Sequence, residues 1–179
     1  VYWKNNILNV VARSPVPFSG SDPVAVDGPN ADCIYVSGND VYVGGNVFGG
    51  AAVYWKNGIA DTLHSAIIGS GMVTINSIFV SANDVYVSGN VLAIEGPDLA
   101  GNAPVYWKNG VEYDLPLNGA TSGFTNSICI SGSDVYVAGE TYSGTSLANA
   151  AAVYWKNGVE TVLPSSGNAY AAAYSIYVQ

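Results

Sequence analysis

The sequence predicts an all-β fold made of repeated four-stranded antiparallel sheets in a single domain spanning residues 1–179. A hexapeptide, VYWKNG, occurs at 53–58, 105–110 and 153–158, and the chain opens on the near copy VYWKNN. The segments around it are rich in Val, Ile, Tyr and Trp, the residues that pleated sheets favour. No stretch shows an apolar pattern of helical period. Repetition at a fixed period is the signature of a repeat architecture.

A second phrase divides each repeat into four strands. It reads CIYVSGNDVYVGGN at 33–46, SIFVSANDVYVSGN at 77–90 and SICISGSDVYVAGE at 127–140. The first strand (IYVSG) and the second (DVYVGGN) share a turn built from SGND, SAND or SGSD. A loop leads to the third strand (AAVYWK), and Asn57–Gly58 turns into the fourth (IADTL). Asn-Gly predicts a tight hairpin because both residues tolerate the positive φ of a type I′ turn.

The units therefore have predictable bounds. Complete units are expected at about 33–65, 77–116 and 127–164, and a further unit is split between 1–13 and 174–179. The N-terminal part supplies a third and a fourth strand, and the C-terminal part supplies a first strand.

The strands are apolar on both faces, as AAVYW and DVYV illustrate. An antiparallel sheet with one wet face would alternate between apolar and polar residues, so both faces of each small sheet are expected to be covered. Four short antiparallel strands per unit, stacked against copies of themselves, describe the blades of a β-propeller. The tryptophans are predicted to fill the space between blades; they are Trp3, Trp55, Trp107 and Trp155.

On these motifs the chain resembles β-propeller repeat proteins, in particular bacterial, often secreted ones whose blades carry AVYWKNG and IYVSGNDVYVAG. The resemblance covers essentially the whole chain and implies a propeller of such blades. It implies no particular activity. The Gly-His and Trp-Asp pairing of the WD40 class is missing, so the partner-binding rules of that class do not carry over.

The composition limits the classes of partner. The net charge is −8 with five Lys and Arg residues, too few to build the basic face that nucleic acids or anionic membranes require. Charged residues make up 10% of the chain, well below the usual quarter. A surface solvated mainly by Ser, Asn, Gly, Thr and Tyr is common in secreted β-proteins, so an extracellular or cell-surface location is expected. No apolar run is long enough to span a membrane as a helix.

Loop lengths indicate where a ligand would bind. The spacing from the first strand to the second-strand Tyr is constant, whereas the loop before the Trp and the loop after the fourth strand vary in length. In an up-and-down sheet those two loops leave the same edge, and function usually resides in variable loops on a rigid scaffold. The candidate ligand-binding residues at this edge are Asp22, Asp27, Glu95, Asp98, Glu140, Tyr142, Tyr170 and Tyr174.

These tyrosines and carboxylates suit a sugar or a peptide ligand, so the sequence favours a non-enzymatic, lectin-like or protein-binding module or scaffold. For each Asp the competing interpretation is a turn cap, because Asp beside Gly and Pro commonly caps turns. The alternative function is a glycosidase-like hydrolase, since a pair of carboxylates can hydrolyse glycosides. Glu95, Asp98 and Glu140 could supply such a pair.

No cofactor or metal site is predicted. The D-x-[DN]-x-[DN]-G spacing of a calcium loop does not occur, and His64 is the sole histidine, which cannot form a zinc site by itself. Cys33 and Cys129 occupy different positions of the repeat, so no disulfide is expected between them. Both are interpreted as small buried apolar residues.

The opposite edge carries the repeated charges. Each Lys follows a Trp and each Asp lies in a first turn, so both groups are expected at the same edge and are predicted to form ion pairs, with the Lys stem over an aromatic face. The lysines are Lys4, Lys56, Lys108 and Lys156, and the aspartates are Asp40, Asp84 and Asp134.

The split unit lacks a second strand, which leaves three arrangements open. The C-terminal strand could close a four-bladed ring within one chain. Two chains could form a homodimer that closes a larger ring. The sequence could also be a segment of a longer array, which is compatible with either assembly. A ring that stays open would expose sheet edges and apolar faces, which favours association.

Overall fold

The described residues form three four-stranded antiparallel sheets and a short N-terminal β-hairpin. The structure is a computed structural model that describes residues 2–4, 7–9, 30–47, 51–65, 70–93, 101–144, 147–165 and 170–179. The predictions for Asp22, Asp27, Glu95 and Asp98, and for the side chains of Trp3 and Lys4, lie outside the described residues.

The strands follow one another along the chain. The hairpin consists of β1 (Tyr2–Lys4) and β2 (Ile7–Asn9). Sheet 1 contains β3 (Cys33–Ser37), β4 (Asp40–Val47), β5 (Ala51–Lys56) and β6 (Ile59–Leu63). Sheet 2 contains β7 (Ser70–Ser81), β8 (Asp84–Ala93), β9 (Gly101–Lys108) and β10 (Val111–Asp114). Sheet 3 contains β11 (Ser122–Ser131), β12 (Asp134–Tyr142), β13 (Ala151–Lys156) and β14 (Val159–Val162).

Within each sheet, spatial order follows chain order, so every neighbouring pair is antiparallel. This confirms the prediction of repeated four-stranded antiparallel sheets. The first strands of sheets 2 and 3 begin earlier than the repeated phrase suggests, at Ser70 and Ser122. One three-residue 3₁₀ turn (Leu147–Asn149) precedes β13. Within the described ranges, no helix has the length and apolar character needed to cross a membrane.

A β-bulge interrupts the first strand of sheets 2 and 3. The register shifts between Ile75 and Ser77 and between Thr125 and Ser127, which leaves Asn76 and Asn126 without a cross-strand partner. A bulge bends its strand and increases the local twist. The second strand has a glycine opposite this bend, Gly89 in sheet 2 and Gly139 in sheet 3. A Cβ at either position would overlap a carbonyl oxygen of the first strand, so the close approach of the two strands requires glycine.

Side chains from both faces of sheet 2 enter apolar cores. Val87, Val105 and Trp107 pack in one cluster with Tyr42 and Tyr54 of sheet 1. Tyr86 and Tyr106 on the opposite face of sheet 2, together with Leu115 just after β10, belong to a second cluster that includes Val137 and Trp155 of sheet 3. Consecutive sheets are therefore packed face to face, which explains why their strands do not alternate between apolar and polar residues.

The tryptophans occupy equivalent positions. Trp55, Trp107 and Trp155 lie opposite Val43, Val87 and Val137 in their sheets and are at most 1% exposed. Trp107 Nε1 donates to His64 O over 3.0 Å, and Trp155 Nε1 donates to Pro116 O over 2.8 Å. Each of these two indoles thus binds the chain just beyond the fourth strand of the preceding sheet.

We call the edge formed by the two short hairpin turns of each sheet the tight-turn edge. Asn57, Asn109 and Asn157 each have φ of 50°, and the glycines that follow have φ of 78–86°. Positive φ at both central residues is the pattern of a type I′ turn, as the sequence predicts. In the other turn the first central residue has positive φ: Gly38, Ala82 and Gly132 have values of 58°, 54° and 59°.

Lysine and aspartate form the expected ion pairs at this edge, within each sheet. The Nζ–Oδ2 distances are 2.9 Å for Lys56–Asp40, 2.9 Å for Lys108–Asp84 and 2.8 Å for Lys156–Asp134. Each ammonium also lies 5.2–5.4 Å from the ring centroid of the second-strand tyrosine. The phrase VYWKNG therefore combines a buried indole, an ion pair and a turn.

The C-terminal segment 170–179 contains no strand that is paired with another, although the sequence predicts a first strand at 174–179. It nevertheless runs along sheet 3, where Ala171 N donates to Ala150 O over 2.8 Å and Ala173 N donates to Gly139 O over 3.1 Å. A first strand needs a second strand to pair with, and the described part of the chain offers none here.

Candidate functional site

The edge opposite the tight turns carries the longer connections, so we call it the long-loop edge. It includes the last residues of β4, β8 and β12 and the first residues of β5, β9 and β13. Of the predicted ligand-binding residues, the structure describes Glu140, Tyr142, Tyr170 and Tyr174. Three of these four come together around the end of β12.

Glu140 lies near the end of β12, opposite Ala152 on β13 and Phe124 on β11. It is 6% exposed, and its Oε2 accepts a hydrogen bond of 2.9 Å from Asn126 Nδ2. Burial raises the pKa of the Glu140 carboxyl group, and the hydrogen bond from Asn126 offsets part of that increase. The site thus contains a carboxyl group that holds its proton more tightly than an exposed glutamate does.

The corresponding residues of the other two sheets are asparagines, Asn46 and Asn90. Asn90 Oδ1 accepts a hydrogen bond of 2.8 Å from Thr125 N, which links sheet 2 to sheet 3. Asn46 Nδ2 donates to Val73 O and links sheet 1 to sheet 2. An amide can both donate and accept, whereas an ionised carboxylate can only accept. Sheet 3 therefore has an acidic group where its counterparts have a neutral structural one.

Two tyrosines flank Ala173, whose carbonyl oxygen accepts from the same Asn126 amide that donates to Glu140. The hydroxyl oxygens of Tyr170 and Tyr174 are 3.1 Å apart, and the rings are 42% and 68% exposed. The hydrogen bond with Tyr174 raises the pKa of Tyr170 to about 12, with smaller contributions from burial and from the charge of Glu140. We call Asn126, Glu140, Tyr170 and Tyr174 the Glu140 cluster.

Tyr142 has a different role. Its side chain is buried at 9% exposure, and its ring stacks on that of Phe124 with centroids 5.8 Å apart. It supports the end of β12 by packing beneath the long-loop edge.

Asn126 is a member of the cluster that the sequence did not identify. Its Nδ2 donates to Glu140 Oε2 and, over 3.2 Å, to Ala173 O. The signal that could have identified it is the repeated Asn-Ser-Ile at 76–78 and 126–128, which marks the bulged residue. Without the register, nothing in the sequence indicates that this asparagine points toward a glutamate of the neighbouring strand.

The described residues outside the cluster offer little chemistry. Cys33 and Cys129 are both free, and burial raises the pKa of the Cys33 thiol to about 12, so it is un-ionised at neutral pH. His64 is exposed, and its carbonyl oxygen is the acceptor for Trp107. Over the described ranges no three His, Cys, Asp or Glu residues are grouped so that they could hold a metal ion.

Comparisons of the chain with protein-family models, with curated proteins and with solved structures find no match. The geometry of the Glu140 cluster therefore supplies the basis for a function.

Proposed function

We propose that this chain is a non-enzymatic, extracellular binding or scaffolding module whose sheets are blades of a β-propeller. Its ligand, a carbohydrate or a protein, binds at the long-loop edge to the Glu140 cluster. The paucity of basic residues gives no support for a nucleic-acid or membrane-surface partner.

The packing of equivalent faces supports the propeller arrangement. Sheet 2 covers one face of sheet 1, sheet 3 covers the corresponding face of sheet 2, and the indole hydrogen bond is the same at both sheet contacts for which it is described. Repeating one sheet-to-sheet relation is what generates a ring of blades. The ring would close within one chain or in a homodimer.

The observation that carries the binding proposal is the buried Glu140 carboxyl group. Desolvation of a carboxylate lowers stability unless it is compensated, and the two corresponding positions show that the fold accepts asparagine there. Groups with perturbed pKa values cluster at functional sites. A buried glutamate at this place, near two exposed tyrosines, is therefore better explained by a ligand than by folding.

The chemistry of the cluster suits a ligand with hydroxyl or amide groups. A carboxylate accepts hydrogen bonds from such groups, and the tyrosine hydroxyls both donate and accept. The partly exposed rings of Tyr170 and Tyr174 offer apolar surface to a sugar ring or to a side chain. The net negative charge of the protein disfavours acidic ligands.

A glycan array probed with the N-terminally tagged protein tests the carbohydrate form of the proposal. We expect a defined subset of neutral glycans to bind, and we expect Glu140→Gln and Tyr170→Phe each to weaken binding at least about tenfold, the value of a lost charged or hydrogen-bonded contact. Asp114→Asn and Tyr177→Phe remove a carboxylate and a hydroxyl outside the cluster and should leave binding unchanged. A ligand whose affinity is the same for all four variants would place the site elsewhere. The absence of any bound glycan would leave the protein ligand.

The raised pKa of Glu140 also suits the general acid of a glycosidase, which keeps the alternative function in view. That reaction needs a second carboxylate, and the other two carboxylates predicted for it, Glu95 and Asp98, lie outside the described residues. Hydrolysis of aryl glycosides that is lost in Glu140→Gln would favour the hydrolase over the binding module.

A further inference from the structure

The chain contains four Asn-Gly pairs, and Asn-Gly is a dipeptide prone to spontaneous deamidation. Glycine has no Cβ to shield its backbone nitrogen, so this nitrogen can attack the side-chain carbonyl carbon of the preceding asparagine. Three of the pairs belong to the repeated hexapeptide, and the fourth lies in the connection between β10 and β11. The pairs are Asn57–Gly58, Asn109–Gly110, Asn157–Gly158 and Asn118–Gly119.

The four pairs share their exposure and their backbone conformation. Every one of these asparagines is exposed and has φ of 42–50°, and every following glycine has φ of 78–104°. The turn at 118–119 is closed by a hydrogen bond of 2.9 Å from Ala120 N to Leu117 O. Any difference in reactivity among the four pairs therefore has to come from the contacts of the asparagine side chains.

In the repeated hairpins the carboxamide is held at both of its ends. Asn109 Oδ1 accepts from Val85 N over 2.9 Å, and Asn109 Nδ2 donates to Asp84 Oδ1 over 2.8 Å. These bonds direct the carboxamide toward the neighbouring turn, and rotation toward the nitrogen of Gly110 would break both of them. The same two contacts, at the same distances, are made by Asn57 and Asn157.

The Asn118 carboxamide has no such restraint. Across the described ranges, no group donates a hydrogen bond to it or accepts one from it. Its Cγ can therefore turn toward the backbone nitrogen of Gly119 without breaking a contact. A side-chain atom added at Gly119 would meet nothing within 4 Å, so there is room for the ring that this attack forms.

We propose that Asn118–Gly119 is a modification site at which the folded protein deamidates spontaneously, while the hairpin hydrogen bonds protect the three repeated pairs. The backbone nitrogen of Gly119 loses its proton to a base in the solvent and bonds to Asn118 Cγ. The Cγ–Nδ2 bond breaks, and the amide nitrogen takes up a proton and leaves as ammonia. Water then opens the resulting succinimide at either carbonyl, which gives aspartate or isoaspartate at this position.

The modification alters the connection between sheets 2 and 3. This connection is fixed to sheet 3, because Pro116 O accepts from Trp155 Nε1 over 2.8 Å and Thr121 N donates to Tyr142 O over 3.0 Å. Isoaspartate adds one methylene to the main chain between these two anchors, and both products add a negative charge. The isoaspartyl form is also a substrate for an enzyme that methylates isoaspartyl carboxylates. The modification is independent of ligand binding by the Glu140 cluster.

Ageing of the 179-residue protein at mildly alkaline pH, followed by proteolysis and tandem mass spectrometry, measures the four rates separately. We expect Asn118 to deamidate at least about tenfold faster than each of the other three asparagines, because reaction there breaks no hydrogen bond. In urea, where the hairpin contacts are lost, the four rates should become similar. Equal rates in the folded protein, or a difference that persists in urea, would overturn the proposal.

Two variants of sheet 2 test whether the hydrogen bonds provide the protection. Asp84→Ala removes the acceptor of Asn109 Nδ2 and should accelerate deamidation of Asn109 at least about fivefold. Lys108→Met breaks the ion pair with the same aspartate but leaves both Asn109 hydrogen bonds, so it should leave this rate unchanged. Unchanged rates at Asn57 and Asn157 report that each variant is folded. An Asp84→Ala protein in which Asn109 reacts no faster than Asn57 would contradict protection by hydrogen bonding.

A second readout responds to isoaspartate alone. An isoaspartyl methyltransferase transfers a radiolabelled methyl group from S-adenosylmethionine to the aged protein, and the uptake of label is counted. Aged wild-type protein should accept label in proportion to its conversion at Asn118. Aged Asn118→Gln should accept much less, because glutamine would have to close a larger ring. Equal labelling of the two proteins would show that the modified residue lies elsewhere and would overturn the assignment.

Discussion

Glu140 shows how one residue can change the character of a repeated position. The same place holds Asn46 in sheet 1 and Asn90 in sheet 2, and both asparagines make hydrogen bonds that join consecutive sheets. Glu140 is 6% exposed, close to the 4% of Asn90, whereas Asn46 is half-buried. The Glu140 carboxyl group accepts a hydrogen bond from Asn126. The third sheet thus keeps the fold while it gains a carboxyl group near exposed tyrosines.

Glu140→Gln should raise stability at neutral pH. Burial raises the pKa of Glu140 above its ordinary value of 4.5, so the folded state binds the proton more tightly than the unfolded state. The contribution of this group to stability is therefore favourable at low pH and is lost as the pH rises from 4.5 through the folded pKa. The amide that replaces the carboxyl group in this variant stays neutral at every pH, and its oxygen can still accept from Asn126.

Thermal unfolding at pH 4 and at pH 7 checks this prediction. The gain in Tm for Glu140→Gln should be larger at pH 7 than at pH 4, and Asp114→Asn controls for the loss of one negative charge. An equal change in Tm at the two pH values would show that the carboxyl group is not destabilised by burial.

Ala82 offers a second test at the level of one residue. Its φ of 54° falls in the left-handed region, where the corresponding residues are Gly38 and Gly132, and this conformation costs a residue with a Cβ about 1–2 kcal/mol. Ala82→Gly should therefore raise the free energy of unfolding by about 1 kcal/mol. Urea denaturation measures it, and the reverse change Gly132→Ala should lower it by a similar amount. A loss of stability in Ala82→Gly would contradict the assignment of strain to this turn.

Among the structural elements, the two turns of each sheet are held together by an asparagine as well as by the ion pair. In sheet 2, Asn109 Oδ1 accepts from Val85 N over 2.9 Å, and Asn109 Nδ2 donates to Asp84 Oδ1 over 2.8 Å. Asn57 and Asn157 make the same pair of contacts. The Asn109 amide and Lys108 both lower the pKa of Asp84, so their support is present at neutral pH and is lost as the pH falls below about 3.8.

We expect the asparagine to contribute more to stability than the lysine. Asn109→Gly keeps access to positive φ but leaves the Val85 amide without its acceptor, which should cost about 1–3 kcal/mol. Lys108→Met removes an exposed ion pair and should cost less than about 1 kcal/mol. Urea denaturation of the two variants ranks them, and a larger loss for Lys108→Met would show that the ion pair dominates this edge.

The bulged first strands make a second prediction at this scale. A methyl group at Gly139 would overlap the carbonyl oxygen of Phe124, and the neighbouring Thr125 is fully buried and bonded to Gly89 O, so the backbone has little room to shift. Gly139→Ala should therefore destabilise the protein by at least about 3 kcal/mol. Gly132→Ala, where the added atom meets nothing within 4 Å, is the control. Similar losses in the two variants would show that the bulge adapts.

Across the whole molecule, the sequence predicted the features that repetition encodes. The four-strand division, the type I′ turns and the Lys–Asp pairs follow from strand direction and turn chemistry, which are local. The bulges were missed because the feature that marks them is a glycine in the second strand. That glycine can be recognised as a bulge marker only when the pairing of the two strands is known. The burial of Glu140 was also missed. Alternation along β12 predicts on which face of the sheet a side chain lies, but it does not predict how completely a neighbouring segment covers that side chain.

At this scale, stability depends on the packing of one sheet against the next. Each buried indole removes about 150–250 Å² from water, which at about 25 cal/mol per Å² is roughly 4–6 kcal/mol before entropic losses. The Trp107 and Trp155 indoles also donate their N–H groups to carbonyl oxygens of the chain just beyond the preceding sheet. The sheets are therefore expected to unfold together rather than one by one.

Hydrogen exchange of the indole N–H groups, followed by ¹⁵N NMR with signals assigned by single Trp→Phe variants, tests this account most directly. The equivalent settings predict that the N–H groups of Trp107 and Trp155 exchange slowly and at similar rates, through the global unfolding reaction. Rapid exchange of either indole, or rates that differ by orders of magnitude between the two, would contradict the claim that the repeated sheets pack on one another in one common arrangement.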